Sequence, residues 1–148
     1  MEVLPVTLLD YPQLDDHCAE FWKHSPFTEP YVRGSAETYL DIARSCGLLF
    51  KAIQNGRIIG FAAGAVSPLM GDSSILMGSE LAWWVEPSSR STGAGIALLE
   101  RLEDAARAIG VKYWTMIYME TSMPEQIRQI YEQRGYSLKE TSYVKQLY

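Results

Sequence analysis

Residues 85–95 read Val85-Glu86-Pro87-Ser88-Ser89-Arg90-Ser91-Thr92-Gly93-Ala94-Gly95, a set of residue types suited to holding an anion. Gly93 and Gly95 remove side chains where backbone N–H groups must come close to a phosphate. The helix predicted to follow adds unpaired N–H donors and the positive end of its dipole. Arg90 adds a full charge beside them. Two well-known phosphate loops fail on residue identity. A Walker loop ends in Gly-Lys-Ser/Thr, whereas Gly95 is followed by Ile96-Ala97. A dinucleotide fingerprint has a third glycine three residues after the second, where this chain has Leu98. Arg-x-x-Gly-x-Gly alone is equally compatible with a tight strand-to-helix turn that binds nothing. His17, His24, Cys18 and Cys46 lack zinc-ligand spacing, and no Gly-x-Ser-x-Gly elbow is present, so neither a metal nor a covalent nucleophile is expected.

The loop needs a strand before it and a helix after it, and the pattern supplies both. Residues 75–85 read as a strand. In residues 95–109, Ile96, Leu99, Leu102, Ala106 and Ile109 form one stripe opposite Arg101, Asp104 and Arg107, and Gly110 stops the helix. Residues 112–120 follow as a strand, which makes strand, helix and strand a parallel crossover. Upstream, residues 3–8 predict an edge strand with Pro5 in it. Asp10 is expected to cap a helix through Trp22, with Leu14, Cys18 and Phe21 on one face. A second helix is expected over residues 35–46, with Leu40 and Ala43 inward and Gly47 as its stop. Residues 48–54 and 57–66 flank Asn55-Gly56, a strong signal for a two-residue hairpin. A further turn is expected over residues 70–74. Ser122-Met123-Pro124-Glu125 reads as a capping box for a helix ending at Gly135, and residues 136–147 as a closing strand or hairpin. With no repeat or linker, residues 1–148 read as a single domain.

The 148 residues are 47% apolar and 21% charged, enough to bury a core and unlike a disordered chain. The longest uncharged apolar stretch, residues 58–70, contains glycines and a proline and is too short to span a bilayer. Met1-Glu2-Val3-Leu4-Pro5 has no basic region, so no secretory signal is expected. Two isolated cysteines make no disulfide framework and fit free thiols in a reducing cytoplasm. The net charge of −5 argues against nucleic acid as a partner and suits a cationic one.

Val85-x-Pro87, Arg90-x-x-Gly93-x-Gly95 and Ile130-Tyr131-Glu132-Gln133-Arg134-Gly135-Tyr136 resemble the GNAT superfamily of acyl-CoA-dependent N-acyltransferases. The resemblance runs over essentially the whole chain in element order, with the motifs concentrated in residues 79–137. Two separate motifs at the expected separation are far more specific than either alone. The compact Trp83-Trp84-Val85 version is similar to small acetyltransferases of bacteria and their phages. Where the family often carries Asn near the start of the last helix, this chain has Met123-Pro124-Glu125.

The resemblance implies an α/β fold with a mixed central sheet of six to seven strands and about four helices on both faces. It implies acetyl-CoA as co-substrate, direct transfer with both substrates bound, and no metal. The loop residues Arg90, Ser91, Thr92, Gly93, Ala94, Gly95 and Ile96 would hold the pyrophosphate. The backbone of Trp83, Trp84 and Val85 would pair with the pantetheine arm. Tyr131 matches the family tyrosine that points at the coenzyme sulfur and would act as the acid; packing of its helix on the sheet is the plainer role. Glu80, in phase with Ala82 and Trp84, is the preferred base over Glu120, which ends the next strand. Glu86 and Asp72 are expected at the surface. Trp83 and Trp84 lie on opposite strand faces, one under a helix and one lining the site, where Phe27, Tyr31 and Tyr118 could join it. The acceptor implied is an amine-bearing small molecule or a peptide or protein, and a homodimer is compatible with either. The rival class is a binding module of the same fold that acts through protein contacts; Gly93 and Gly95 together with Tyr131 favour the enzyme.

Overall fold

In the computed structural model, which describes residues 1–119 and 122–148, the chain forms two compact units, Met1–Ile117 and Tyr118–Tyr148. In the first, β1 (Glu2–Pro5), α1 (Tyr11–Trp22), α2 (Glu37–Ser45), β2 (Leu49–Gln54), β3 (Arg57–Leu69), β4 (Asp72–Val85), α3 (Ala94–Ala108) and β5 (Val111–Thr115) follow in order. The strands form one sheet in the order β1-β2-β3-β4-β5. The first four are antiparallel, and α3 carries the chain across so that β5 runs parallel to β4.

The hairpin forms as its residues require: Asn55 and Gly56 both take positive φ, 52° and 73°, which turns β2 back into β3 without splaying the strands. The next turn is tighter than expected, with only Met70 and Gly71 between the paired Leu69 and Asp72. Side-chain alternation then builds a core on each face. Leu49, Ile58, Phe61, Ala63 and Trp84 pack against Leu14, Cys18, Leu40 and Ala43 of α1 and α2. Phe50, Ala52, Ile59, Ala62 and Val85 pack against Ala94, Leu98, Leu102 and Ala106 of α3. Complete burial of each such leucine contributes about 1.5–3 kcal/mol, so these faces fix the sheet on which any site is built. Cys18 sits in the first core, where burial pushes its thiol up to about 12.

Several expectations are corrected. The sheet has five strands among the described residues, not six to seven. Residues 136–147 form no strand, and Leu138, Tyr143, Val144, Leu147 and Tyr148 are exposed; alternation in sequence cannot make a strand without a ladder partner. The strand expected over residues 112–120 ends at Thr115. Asp10 precedes α1 but does not cap it, because its carboxylate accepts from the Thr7 amide (2.8 Å) and the Lys51 ammonium (2.6 Å). In α3, Leu98 joins the buried stripe, whereas Ile109 lies past the helix end and is exposed.

The second unit contains α4 (Pro124–Gln133). The capping box does not form there. A residue before proline avoids the right-handed helical region, and Met123 adopts φ 45°, so Met123 and not Ser122 is the N-cap. Tyr131 is buried, with its ring 5.5 Å from that of Tyr136.

Candidate active site

Glu80 is the most unusual side chain in the sheet: a carboxylate with only 6% of its surface exposed. A β-bulge places it. Ala63 pairs with Ala82 and Gly64 with Glu80, so Leu81 is an extra residue on β4. The bulge breaks the alternation, and Glu80 therefore does not share the face of Ala82 and Trp84, as simple phasing would have it. Instead it faces the same side as Gly64, the side covered by Trp114. The β4–β5 ladder pairs Leu76 to Ser79 of β4 with β5 and ends at Ser79 and Thr115, while β4 continues to Val85. Glu80 is the first β4 residue beyond that ladder. The amide of Ile117, past the end of β5, donates to its Oε2 at 2.7 Å.

Burial raises the Glu80 carboxyl to about 8 from 4.5, and the Ile117 amide opposes part of that rise. This links the protonation of Glu80 to stability with a definite sign. Between pH 4.5 and about 8 the unfolded chain has released a proton that the folded chain keeps, so stability falls as pH rises through that window. Glu80→Gln removes the titration. Its melting temperature relative to wild type should therefore rise between about pH 5 and about pH 8. A pH-independent difference would mean that the carboxyl titrates alike in both states.

The loop between β4 and α3 is held by side chains that sequence reading placed at the surface or in the ligand shell. Glu86 accepts from Arg57 Nη1 and Nη2 at 2.6 and 2.5 Å and from Ser89 Oγ at 2.7 Å, a fork that holds its carboxyl down at about 2. Arg90 turns inward: its Nε donates to the Val85 carbonyl at 3.0 Å, and its guanidinium lies 4.9 Å from the Trp84 ring centroid. Trp83 Nε1 donates to the Gly95 carbonyl at 2.9 Å, tying α3 to β4. Thr92 Oγ1 donates to the Ser89 carbonyl at 2.6 Å and accepts from the Ala94 amide at 3.3 Å. Gly93 is the N-cap of α3 with φ 82°, and a Cβ there would meet open space. The first helical bond runs from the Ala97 amide to the Gly93 carbonyl, so the Gly95 and Ile96 amides precede the helical ladder. Ser91 is exposed at the rim.

Of the remaining candidates, Trp84 takes the packing role, in the core against Phe21 and His24. Phe27 stacks on Trp22 at 5.6 Å, and Tyr31 donates to Asp15 at 2.6 Å. Both line an open cleft of about 570 Å³ beside the end of α1, which neither Glu80 nor residues 90–96 line. Asp72 is at the surface and accepts from Ser74. Glu120 lies outside the described residues. Tyr131 and Tyr118 belong to the second unit.

The Acetyltransferase (GNAT) family pattern matches residues 13–136, a span that contains the bulge, the loop and α4. The chain belongs to the GNAT acetyltransferase family. Solved structures agree on the fold. A ribosomal-protein-alanine N-acetyltransferase from Brucella melitensis is 19% identical with a TM-score of 0.74, over 99% of this chain and all of the other. A predicted acetyltransferase with acetyl-CoA from Clostridium acetobutylicum is 18% identical with a TM-score of 0.72, over 99% and 96% of the two chains. A transcriptional regulator from Bacillus halodurans is 16% identical with a TM-score of 0.78, over 99% of each chain. No curated protein sequence matches this GNAT chain. Among the described residues, no helix is long and apolar enough to cross a membrane, and no group of three His, Cys, Asp or Glu could hold a metal ion.

Proposed function

We propose that this GNAT protein is a cytoplasmic N-acetyltransferase that moves an acetyl group from acetyl-CoA to a primary amine, with both substrates bound together. The carrying observation is Glu80, a buried carboxylate of raised pKa standing where the β4–β5 ladder stops. Acetyl-CoA supplies the thioester that the amine attacks. Glu80 takes a proton from the amine, directly or through a water, and Tyr131 gives one to the departing sulfur. The role of Tyr131 rests on its match to the family motif. The amine acceptor is a small molecule, a peptide or a protein, and the net charge of −5 favours a cationic one.

The residues present suit the coenzyme. Gly93 leaves open space at the mouth of α3, where the amides of Gly95 and Ile96 and the helix dipole favour a pyrophosphate. Ser91, Thr92 and Ala94 complete that cradle. Arg90 supports it from behind, since its guanidinium is turned onto Trp84. The backbone of Trp83, Trp84 and Val85, on the part of β4 past the β5 ladder, would receive the pantetheine arm.

Coenzyme binding is tested by melting. Acetyl-CoA at 100 times its dissociation constant should stabilise the fold by about 2.7 kcal/mol, seen as a clear rise in melting temperature. Gly93→Val should lose that rise, because a branched side chain blocks the approach of the pyrophosphate. Valine is also strained at φ 82°, so Gly110→Val is the control: Gly110 has φ 86° and equally open surroundings at the other end of α3. That variant should melt lower but keep the full coenzyme-induced rise. An unshifted wild type at saturating acetyl-CoA would overturn the reading. Release of free thiol from acetyl-CoA with an amine panel then tests transfer itself.

A further inference from the structure

Two glycines lie inside long strands where no turn requires them. Gly64 is on β3 and Gly78 on β4, and a Cβ at either would collide with the six-membered ring of Trp114. The indole thus lies flat across both strands from its own position on β5, opposite Gly78 in the ladder. Strand glycines of this kind mark a close approach by another group. The register shows what else is there. Val66 pairs with Gly78 and Gly64 with Glu80, so positions 64, 66, 78 and 80 share one face, with Glu80 directly across from Gly64. Trp114 therefore covers the patch of sheet from which the Glu80 side chain leaves. Its Nε1 is 3.1 Å from Met116 Sδ, which anchors the segment leading to Ile117.

We propose that Trp114 is a positioning residue for Glu80: its indole, seated on Gly64 and Gly78, keeps water from the carboxyl and holds the exit of β5 so that the Ile117 amide meets it. Among the described residues, burial and that amide are the contributions to the Glu80 shift, and no side-chain charge adds to them. On β5, Lys112 and Tyr113 sit toward the start of the strand, with the ammonium 5.6 Å from the Tyr113 ring centroid. On α3, Arg107 is paired with Glu103 and Asp104. The two actions of Trp114 oppose each other at Glu80. Its removal admits water, which lowers the pKa, and loosens the amide, which raises it. Burial is the larger contribution, so the net change is downward.

The catalytic meaning of this inference rests on Glu80 as the base, but its test does not. The carboxyl carbon of Glu80 in ¹³C-glutamate-labelled protein, assigned by its loss in Glu80→Gln, gives the titration directly. Trp114→Ala should lower the midpoint at least tenfold in proton affinity, and Trp114→Phe by less. Gly64→Ala pushes the same ring from the β3 side and should also lower the midpoint. The Gly64→Ala/Trp114→Ala double variant should do no more than Trp114→Ala, since one contact is lost only once. Where Trp114→Ala does not fold, Trp114→Phe and Gly64→Ala decide. Wild-type midpoints in those folded variants, or raised ones, would overturn the proposal. A lowered midpoint in an enzyme whose rate ignores Glu80→Gln would leave Trp114 in place and remove Glu80 as the base.

Discussion

Glu80→Gln should reduce turnover by about 10²–10⁴, the usual scale for a positioned base. Glutamine keeps the size of the side chain and can still accept from the Ile117 amide, so what it removes is proton acceptance. In the wild type the base works only when ionised. With the carboxyl raised to about 8, the rate should climb as pH rises toward that value and level off above it. At pH 7 about a tenth of the enzyme carries the ionised base, so a tenfold gain remains on its acidic limb. In Glu80→Gln that limb should flatten or move upward, because the amine must then arrive already deprotonated. Glu120→Gln should keep the wild-type profile. If Glu120→Gln alone changes the limb, the base is Glu120. If neither variant does, water or the backbone takes the proton.

The legible parts of this chain are those whose cause is local. Asn55-Gly56 announces its own hairpin, and the α3 stripe and Gly110 mark that helix and its end. Gly93 signals the positive φ at the α3 N-cap. Glu80 was legible as a candidate but not its orientation, because one extra residue, Leu81, reverses the face of everything before it. No local pattern marks Leu81 as a bulge. Glu86 reads as a surface acid because its partner, Arg57, is 29 residues away on another strand. Arg90 reads as a ligand cation, and the sequence does not say that its Nε will donate to the Val85 carbonyl and its guanidinium lie beside the Trp84 ring. The seat of Trp114 did leave a mark: Gly64 and Gly78 are glycines inside strand patterns, a sign of close approach by something unnamed. Pattern identifies types and spacing; registers and long-range partners require the folded sheet.

Tyr131→Phe should lower turnover by about 10²–10⁴ while coenzyme affinity changes little. Phenylalanine keeps the ring that packs against Tyr136, and the bond from the Tyr136 amide to the Tyr131 carbonyl is main chain, so both contacts survive in the variant. A purely packing tyrosine would therefore give a variant with both normal melting and normal rate. The acid role predicts a different pair: normal melting and slow turnover. It also predicts which donors suffer. The hydroxyl is needed only because the departing sulfur leaves more easily once protonated, and a phenol can supply that proton. An acyl donor whose thiol is more acidic than that of coenzyme A leaves readily as the thiolate, so the deficit of Tyr131→Phe should shrink toward one with such a donor. Steady-state rates of wild type and variant with acetyl-CoA and with the activated thioester measure the difference. Equal deficits with both would mean that the hydroxyl aligns the substrates without giving up its proton. Full activity of the variant with acetyl-CoA would return Tyr131 to packing and make water the acid.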